Sequence, residues 1–291
     1  MFKRSTSLFA VAGAIGISLA AWTHLARAQN SQSQSTAQIT AVKESPPIRA
    51  DQIPQNIKDA VNSPGRPAAD RALDAGRRPD QMLAFFGIKP GMKVGELFAG
   101  GGYTTQLLAL VVGPTGAVYS QNPVFPPAAK RIGEAWNLRL KNPALSNVIA
   151  ISKNYDADDL FSAGAVGGMT AGPEPGTLDA VITNMNYHDL VLRKVDRDKV
   201  NREVFAALKP GGVYGIVDHS AKAGSGASDV ALHRIDESFL VAEVEKSGFK
   251  LAAASSALRH PEDDRTWVTA PQAAGPRRGT SDRFMLKFVK P

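Results

Sequence analysis

Beyond residue 50 the apolar residues fall into two alternating periods. Short apolar runs bounded by glycine and proline at 92–98, 117–120, 147–152, 178–183, 213–217, 249–253 and 284–289 read as strands. Between them the spacing turns helical: Met82, Leu83, Phe85 and Phe86 follow Pro79, and Leu107, Leu108, Val111 and Val112 repeat the pattern. A helix is also predicted over 128–140, and another carries Val200, Val204, Phe205 and Leu208 on one face. Residues 230–235 and 238–246 read as helical, with Asp236 as N-cap and Gly248 as stop. Strands separated by helices predict one α/β domain over 51–291: a mostly parallel seven-stranded sheet with an antiparallel edge strand and helices on both faces. Residues 51–88 precede the first strand and form a helical cap, broken at Pro64, Gly65 and Pro67. The Gly-, Ala- and Pro-rich stretch 162–176 reads as a mobile surface insertion.

The first 50 residues follow neither period. Residues 1–28 carry Lys3 and Arg4, then an apolar run of about 15 residues, then Ala26-Arg27-Ala28, which is the pattern of a secretory signal cleaved after Ala28. The run is short for a membrane span of roughly 20 residues, so no stable span is expected after cleavage and the mature chain is expected in the periplasm or outside the cell. Residues 29–50, rich in Gln, Ser, Thr and Pro, read as a flexible linker. The net charge of +7 drops to +4 once Lys3, Arg4 and Arg27 leave with the signal. The cations are scattered and not interleaved with aromatics, so no nucleic-acid partner is indicated. The chain has no cysteine, which excludes disulfides, thiolate metal sites and thiol nucleophiles.

Candidate chemistry gathers at the carboxyl ends of the predicted strands, where open α/β sheets bind ligands. The first strand ends in Glu96 and turns through Gly100-Gly101-Gly102 to Tyr103, the second ends at Gln121, and Asp156 follows the third. Asn184 to Asp189 follow the fourth, and Asp218-His219 end the fifth. Glycines without a Cβ admit a ligand close to the backbone, and the helix behind them offers free N–H groups. The turn fails as a dinucleotide fingerprint because Thr105 stands where the third glycine is needed, and no phosphate-cradling P-loop is present.

The run Glu96-Leu97-Phe98-Ala99-Gly100-Gly101-Gly102-Tyr103 resembles the first motif of class I S-adenosylmethionine-dependent methyltransferases. The segments 154–160, 178–189 and 207–218 are similar to that family's later motifs, in order. Arg66-Pro67-Ala68-Ala69-Asp70-Arg71, Asn186-Tyr187-His188-Asp189-Leu190, Val217-Asp218-His219 and Leu232-His233-Arg234-Ile235-Asp236 resemble a narrower group of exported bacterial methyltransferases. The resemblance implies a Rossmann-like fold, S-adenosylmethionine as cofactor and a small-molecule or envelope-component acceptor. It assigns cofactor binding to Glu96, Gly100, Gly102, Tyr103, Gln121, Asp156 and Asn184. It places Tyr187, His188, Asp218, His219 and His233 where the methyl group meets its acceptor, and there a histidine suits proton transfer near neutrality.

Two positions depart from the family pattern. Phe98 stands where glycine is usual, and Gln121 replaces the acid that accepts from the ribose hydroxyls. Gln121→Glu is accordingly expected to preserve or tighten cofactor binding. Those departures, and a cofactor made in the cytoplasm, motivate a second reading: a methyltransferase-fold binding protein, or a site repurposed for hydrolysis or elimination by His188, His219 and Asp218. The acids and histidines behind the fourth and fifth strands offer a metal alternative, but no tight ligand spacing supports it and no metal ligands are assigned. Arg66, Asp70, Arg71, Arg77 and Arg78 form a charged band, either an ion-paired surface or a lid for an acidic substrate.

Overall fold

Residues 42–162 and 172–291 are described by a computed structural model, together with the backbone of 165–166 and 169–170. The expected signal at 1–28 and most of the expected linker lie outside the described residues. The linker's last part does not hang free. Ser45 exchanges backbone hydrogen bonds with Ala254 and Ser256, and Ile48 pairs its N–H and C=O with the Gln81 amide.

The cap comprises α1 (Gln55–Val61), α2 (Ala68–Arg71), α3 (Asp74–Arg77) and α4 (Pro79–Phe86), the last opened by proline and stopped by Gly87. Then come β1 (Lys93–Leu97), α5 (Tyr103–Val112), β2 (Ala117–Asn122), α6 (Lys130–Arg139) and β3 (Val148–Ser152). The Gly/Ala/Pro-rich stretch contributes a small ladder, β4 (Ala165–Val166) with β5 (Met169–Thr170). The chain continues through β6 (Leu178–Asn184), α7 (Tyr187–Leu192), α8 (Arg197–Ala207), β7 (Leu208–His219), α9 (Glu237–Lys246), β8 (Lys250–Ser255), α10 (Pro271–Ala274) and β9 (Arg283–Val289).

Seven strands form one sheet in the order β3-β2-β1-β6-β7-β9-β8. Six run the same way, and β9 runs against them beside the β8 edge. The order reverses at β1, so the carboxyl ends of β1 and β6 flank the crevice where such sheets bind ligands. Side chains alternate between faces: Val94, Ala180 and Ile182 join the apolar core under α1, α4 and α5, whereas Leu97 and Val181 join the core under α8 and α9. The predicted helix at 230–235 is instead one 3-10 turn at Val230–Leu232, which ends in His233 at φ 54°. Asp236 does cap α9, accepting from the N–H groups of Ser238 and Phe239.

The stretch between β8 and β9 folds back over the carboxyl ends of the strands, although no regular period marks it in the sequence. A buried ion pair anchors it. Arg234 donates to both oxygens of Asp263 (2.8 and 3.2 Å) and to the carbonyls of Ser220 and Trp267. Asp263 also accepts from the Trp267 indole and from the backbone N–H groups of Arg265 and Asp282. Burial opposes the charge on Asp263, but the Arg234 hydrogen bonds and those backbone donors outweigh it and hold its pKa below the usual carboxylate value. Arg234→Met strands that carboxylate. The expected loss is about 3–5 kcal/mol, read as a lowered urea midpoint; a cost below about 1 kcal/mol would show that the pair does not anchor the segment.

Candidate active site

A cavity of about 750 Å3 lies over the carboxyl ends of β1 and β6, large enough for a nucleotide-sized ligand. Its floor is the turn after β1 and the start of α5, one wall is the entry to α7, and its cover comes from the cap and the β8–β9 segment. Three of the seven described non-glycine residues with positive φ line it: Phe98, Met185 and His233. Such strain persists only where the surroundings enforce it, and it collects at functional sites.

The glycine turn is fixed from outside. Asn122 brackets Gly100, accepting from its N–H (2.8 Å) and donating to its carbonyl (3.1 Å). Arg139 donates to the Gly101 carbonyl (2.6 Å) and pairs with Asp70 of the cap (2.8 Å). Gly100 has φ 56°, and a Cβ built there meets no heavy atom nearer than 4.0 Å, so open space lies above the turn. Glu96 is buried beneath it, and its Oε2 accepts from Thr105 (2.5 Å) and Ser120 (2.8 Å). Burial pushes its pKa up to about 7, against the pull of those hydroxyls and of Arg139. Tyr103 donates to Asp74 (2.6 Å) with Arg77 over its ring, which ties the cap to the mouth of the turn. Asn184 reaches across from β6 to donate to the Thr104 hydroxyl (3.1 Å).

Glu96, Gly100, Tyr103 and Asn184 thus line the cavity, while Gly102, Gln121 and Asp156 do not. Gly102 turns its missing side chain toward Arg139 and Trp136. The Gln121 amide is fully buried and committed, accepting from Phe98 N–H (3.3 Å) and donating to the Lys153 carbonyl (2.6 Å). Asp156 is exposed on the loop after β3. On that side the Phe98 ring packs edge-on against Tyr155, with centroids 4.4 Å apart.

The opposite wall gathers three of the five predicted catalytic residues. Asp218 is fully buried; it accepts from His188 Nδ1 (2.6 Å) and from the backbone N–H groups of His188 (2.8 Å) and His219 (2.7 Å). His188 Nε2 faces His233 Nδ1 at 3.2 Å, and His219 Nδ1 meets the Ser281 hydroxyl at 2.8 Å. Burial alone would lower His188, but the charge of Asp218, its hydrogen bond and the charge of Asp189 outweigh that and raise it. Burial, followed by the charge of His188, lowers both His233 and His219, the latter strongly. One imidazole drawn toward its charged form therefore sits between two drawn toward the neutral form.

Asp218 acts behind His188 rather than on the cavity surface. Tyr187 lies outside the cavity altogether. Successive residues on a helix differ in direction by about 100°, so as His188 faces the cavity Tyr187 turns into the core, where its hydroxyl meets Asn201 (2.9 Å) and Glu243 (3.2 Å).

Arg283 and Trp267, which come from the unpatterned β8–β9 region, also line the cavity although nothing in the sequence pointed to them, and Asp189, expected near the site with the other acids behind the fourth strand, lines it too. Arg283 is buried and pushed down to about 10, by burial first and then by the charge of Arg77. Among the described residues neither Arg77 nor Arg283 has a carboxylate within ion-pair distance. This side of the cavity therefore favours an anionic group.

Two substitutions test these placements. Tyr187→Phe removes a shared hydroxyl from Asn201 and Glu243, and is expected to cost about 1–3 kcal/mol in urea unfolding while leaving ligand affinity unchanged. Gln121→Glu turns an oxygen toward the Lys153 carbonyl and is expected to destabilise by at least as much. Unchanged stability in either variant would contradict the hydrogen bonds described.

No family model matches the chain. Among solved structures, it is similar to an S-adenosylmethionine-dependent methyltransferase from Aquifex aeolicus, with a TM-score of 0.52 and 16% identity over 81% of this chain and 98% of that one. A provisionally assigned sarcosine dimethylglycine methyltransferase from Galdieria sulphuraria gives a TM-score of 0.50 and 16% identity, covering 76% of this chain and 87% of that one. At these identities the likeness is one of fold: the chain has the seven-stranded Rossmann-like architecture found in methyltransferases.

Proposed function

We propose that this protein is an exported S-adenosylmethionine-dependent methyltransferase acting on a small-molecule or envelope-component acceptor with an anionic group. The carrying observation is the turn after β1: open space over Gly100, a helix start behind it, and the buried Glu96 carboxyl lining the same cavity. Those features fit the amino-acid end of the cofactor, whose ammonium would meet Glu96 while free N–H groups at the start of α5 take its carboxylate. At the other end the fit is altered, because the Gln121 amide is committed and lies outside the cavity lining. When bound, the cofactor supplies a methyl group on a sulfonium, and transfer depends chiefly on alignment with the acceptor.

The chain's own residues supply that alignment. Arg77 and Arg283 attract the acceptor's negative group. The imidazoles of His188 and His233, with Asp189, stand where an acceptor nucleophile is oriented and relieved of its proton. Asp218 fixes the His188 ring, and the cap and the β8–β9 segment cover part of the space between donor and acceptor. Export rests on the leader pattern at 1–28; among the described residues no helix is long and apolar enough to cross a membrane.

The committed Gln121 favours a second reading, a binding protein that keeps the fold without methyl transfer. Binding of S-adenosylhomocysteine to the mature chain with no methyl transfer to any anionic acceptor would support it. Under the leading reading, calorimetry detects that binding. Because the ammonium pairs with ionised Glu96, affinity is expected to rise with pH toward about 7, by at most about tenfold per pH unit, and then to level off. Glu96→Gln flattens this profile. Absence of binding would sink the cofactor assignment, and a profile unchanged in the variant would sink the role of Glu96.

A further inference from the structure

Three ligand-type atoms converge on one point of the cavity wall. His188 Nε2 lies 3.2 Å from His233 Nδ1 and 3.9 Å from Asp189 Oδ1, and Asp189 Oδ1 lies 3.7 Å from His233 Nδ1. We propose that His188, Asp189 and His233 form the binding site of one divalent transition-metal ion, of the zinc, manganese(II) or iron(II) kind, with its remaining positions open to the cavity.

Bonds of about 2.0–2.2 Å to such an ion put neighbouring ligand atoms on the order of 3.0–3.5 Å apart. The observed triangle is wider by only a few tenths of an ångström on two sides, a change that small side-chain rotations supply. Hydrogen bonding alone leaves the arrangement unexplained. One proton can join the two imidazoles, but the Asp189 carboxylate stands beyond hydrogen-bond reach of both nitrogens. An ion at the centre accounts for all three.

The surroundings are those of a metal site. Metal-bound histidines characteristically direct their second nitrogen to a carboxylate that fixes the ring, and His188 Nδ1 meets buried Asp218 at 2.6 Å. His233 holds a left-handed backbone at φ 54°, and Thr269 secures it by donating from its hydroxyl to the His233 carbonyl (2.8 Å) and from its N–H to that of Leu232 (3.0 Å). Strain enforced in this way aims Nδ1 at the other two ligands. Two imidazoles and one carboxylate select a borderline transition ion over calcium or magnesium, which take oxygen ligands. Spacing could not reveal the set, because His188 and Asp189 are adjacent while His233 lies 45 residues away. An ion there would take the place of the proton between the two imidazoles, bind an acceptor oxygen and make its proton easier to lose, in place of proton uptake by His188 or His233; that use rests on the methyl-transfer reading, whereas binding of the ion does not.

The test uses the full chain, stripped with a chelator and without cofactor, titrated with Co2+ and Zn2+ alone. One equivalent is expected by calorimetry, with a visible Co2+ absorption that zinc abolishes. Asp189→Asn and His233→Gln, checked for folding by circular dichroism, should each weaken binding by roughly 10–100-fold or more. His260→Gln, which alters a histidine outside the cavity lining, should leave binding unchanged. In the unaltered protein, Mn2+ should broaden the imidazole resonances of His188 and His233 before that of His260. No stoichiometric uptake, uptake that survives both variants, or Mn2+ broadening spread equally over the histidines would overturn the site. S-adenosylhomocysteine binding measured separately keeps this outcome distinct from failure of the cofactor reading.

Discussion

Asp218 closes the long strand β7 with a carboxylate that water cannot reach, so the protein must supply its hydrogen-bond donors. It does so with the N–H groups of His188 and His219 and with the His188 ring. Meeting that demand places the first turn of α7 over the end of β7, although the two come from different crossings of the sheet. The placement then sets everything nearby: His188 Nε2 turns outward, Tyr187 turns inward, and His219 is directed toward Ser281. A single satisfied carboxylate thereby gathers three histidines on the cavity wall above the parallel pairing of β6 and β7.

The same device holds the two covers of the cavity. Asp74 takes a bidentate pair from Arg66 and the Tyr103 hydroxyl, fastening the cap to the start of α5. Asp263 takes Arg234, the Trp267 indole and two backbone donors, fastening the β8–β9 segment to the exit of β7. The covers meet backbone to backbone, since a Cβ on Gly76 would lie 2.9 Å from the Gly279 Cα. The cavity is a covered cleft because two arginine–aspartate anchors draw separate parts of the chain over one end of the sheet. Its charge follows from the same elements, which bring Arg77 and Arg283 inward with no carboxylate at ion-pair distance among the described residues.

The seven strands of the main sheet were legible because each contains a short apolar run beside glycine or proline turns, whereas the β4–β5 ladder inside the Gly/Ala/Pro-rich stretch was not; the glycine turn was legible because its neighbours in sequence are its neighbours in space. What the sequence hid was direction. Tyr187 and His188 are adjacent, yet helical geometry sends one to the core and the other to the cavity. Gln121 stands at the end of β2 as expected, but its amide answers two backbone groups from β1 and the loop after β3, which no local pattern announces. His233 was expected on a helix and instead ends a 3-10 turn, because Thr269, 36 residues later, holds its carbonyl. The β8–β9 cover carries no period, since polar pairs over long separations hold it rather than an apolar face.

In the function proposed above, the turn after β1 holds the amino-acid end of S-adenosylmethionine while the wall built on Asp218 faces the acceptor. A crystal structure of the mature chain with S-adenosylhomocysteine tests it most directly. The account predicts the ligand's amino group at Glu96, its backbone-facing carboxylate at the start of α5, and its sulfur directed toward the His188–His233 wall. Ligand density elsewhere in the cavity, or a sulfur facing away from that wall, would contradict it.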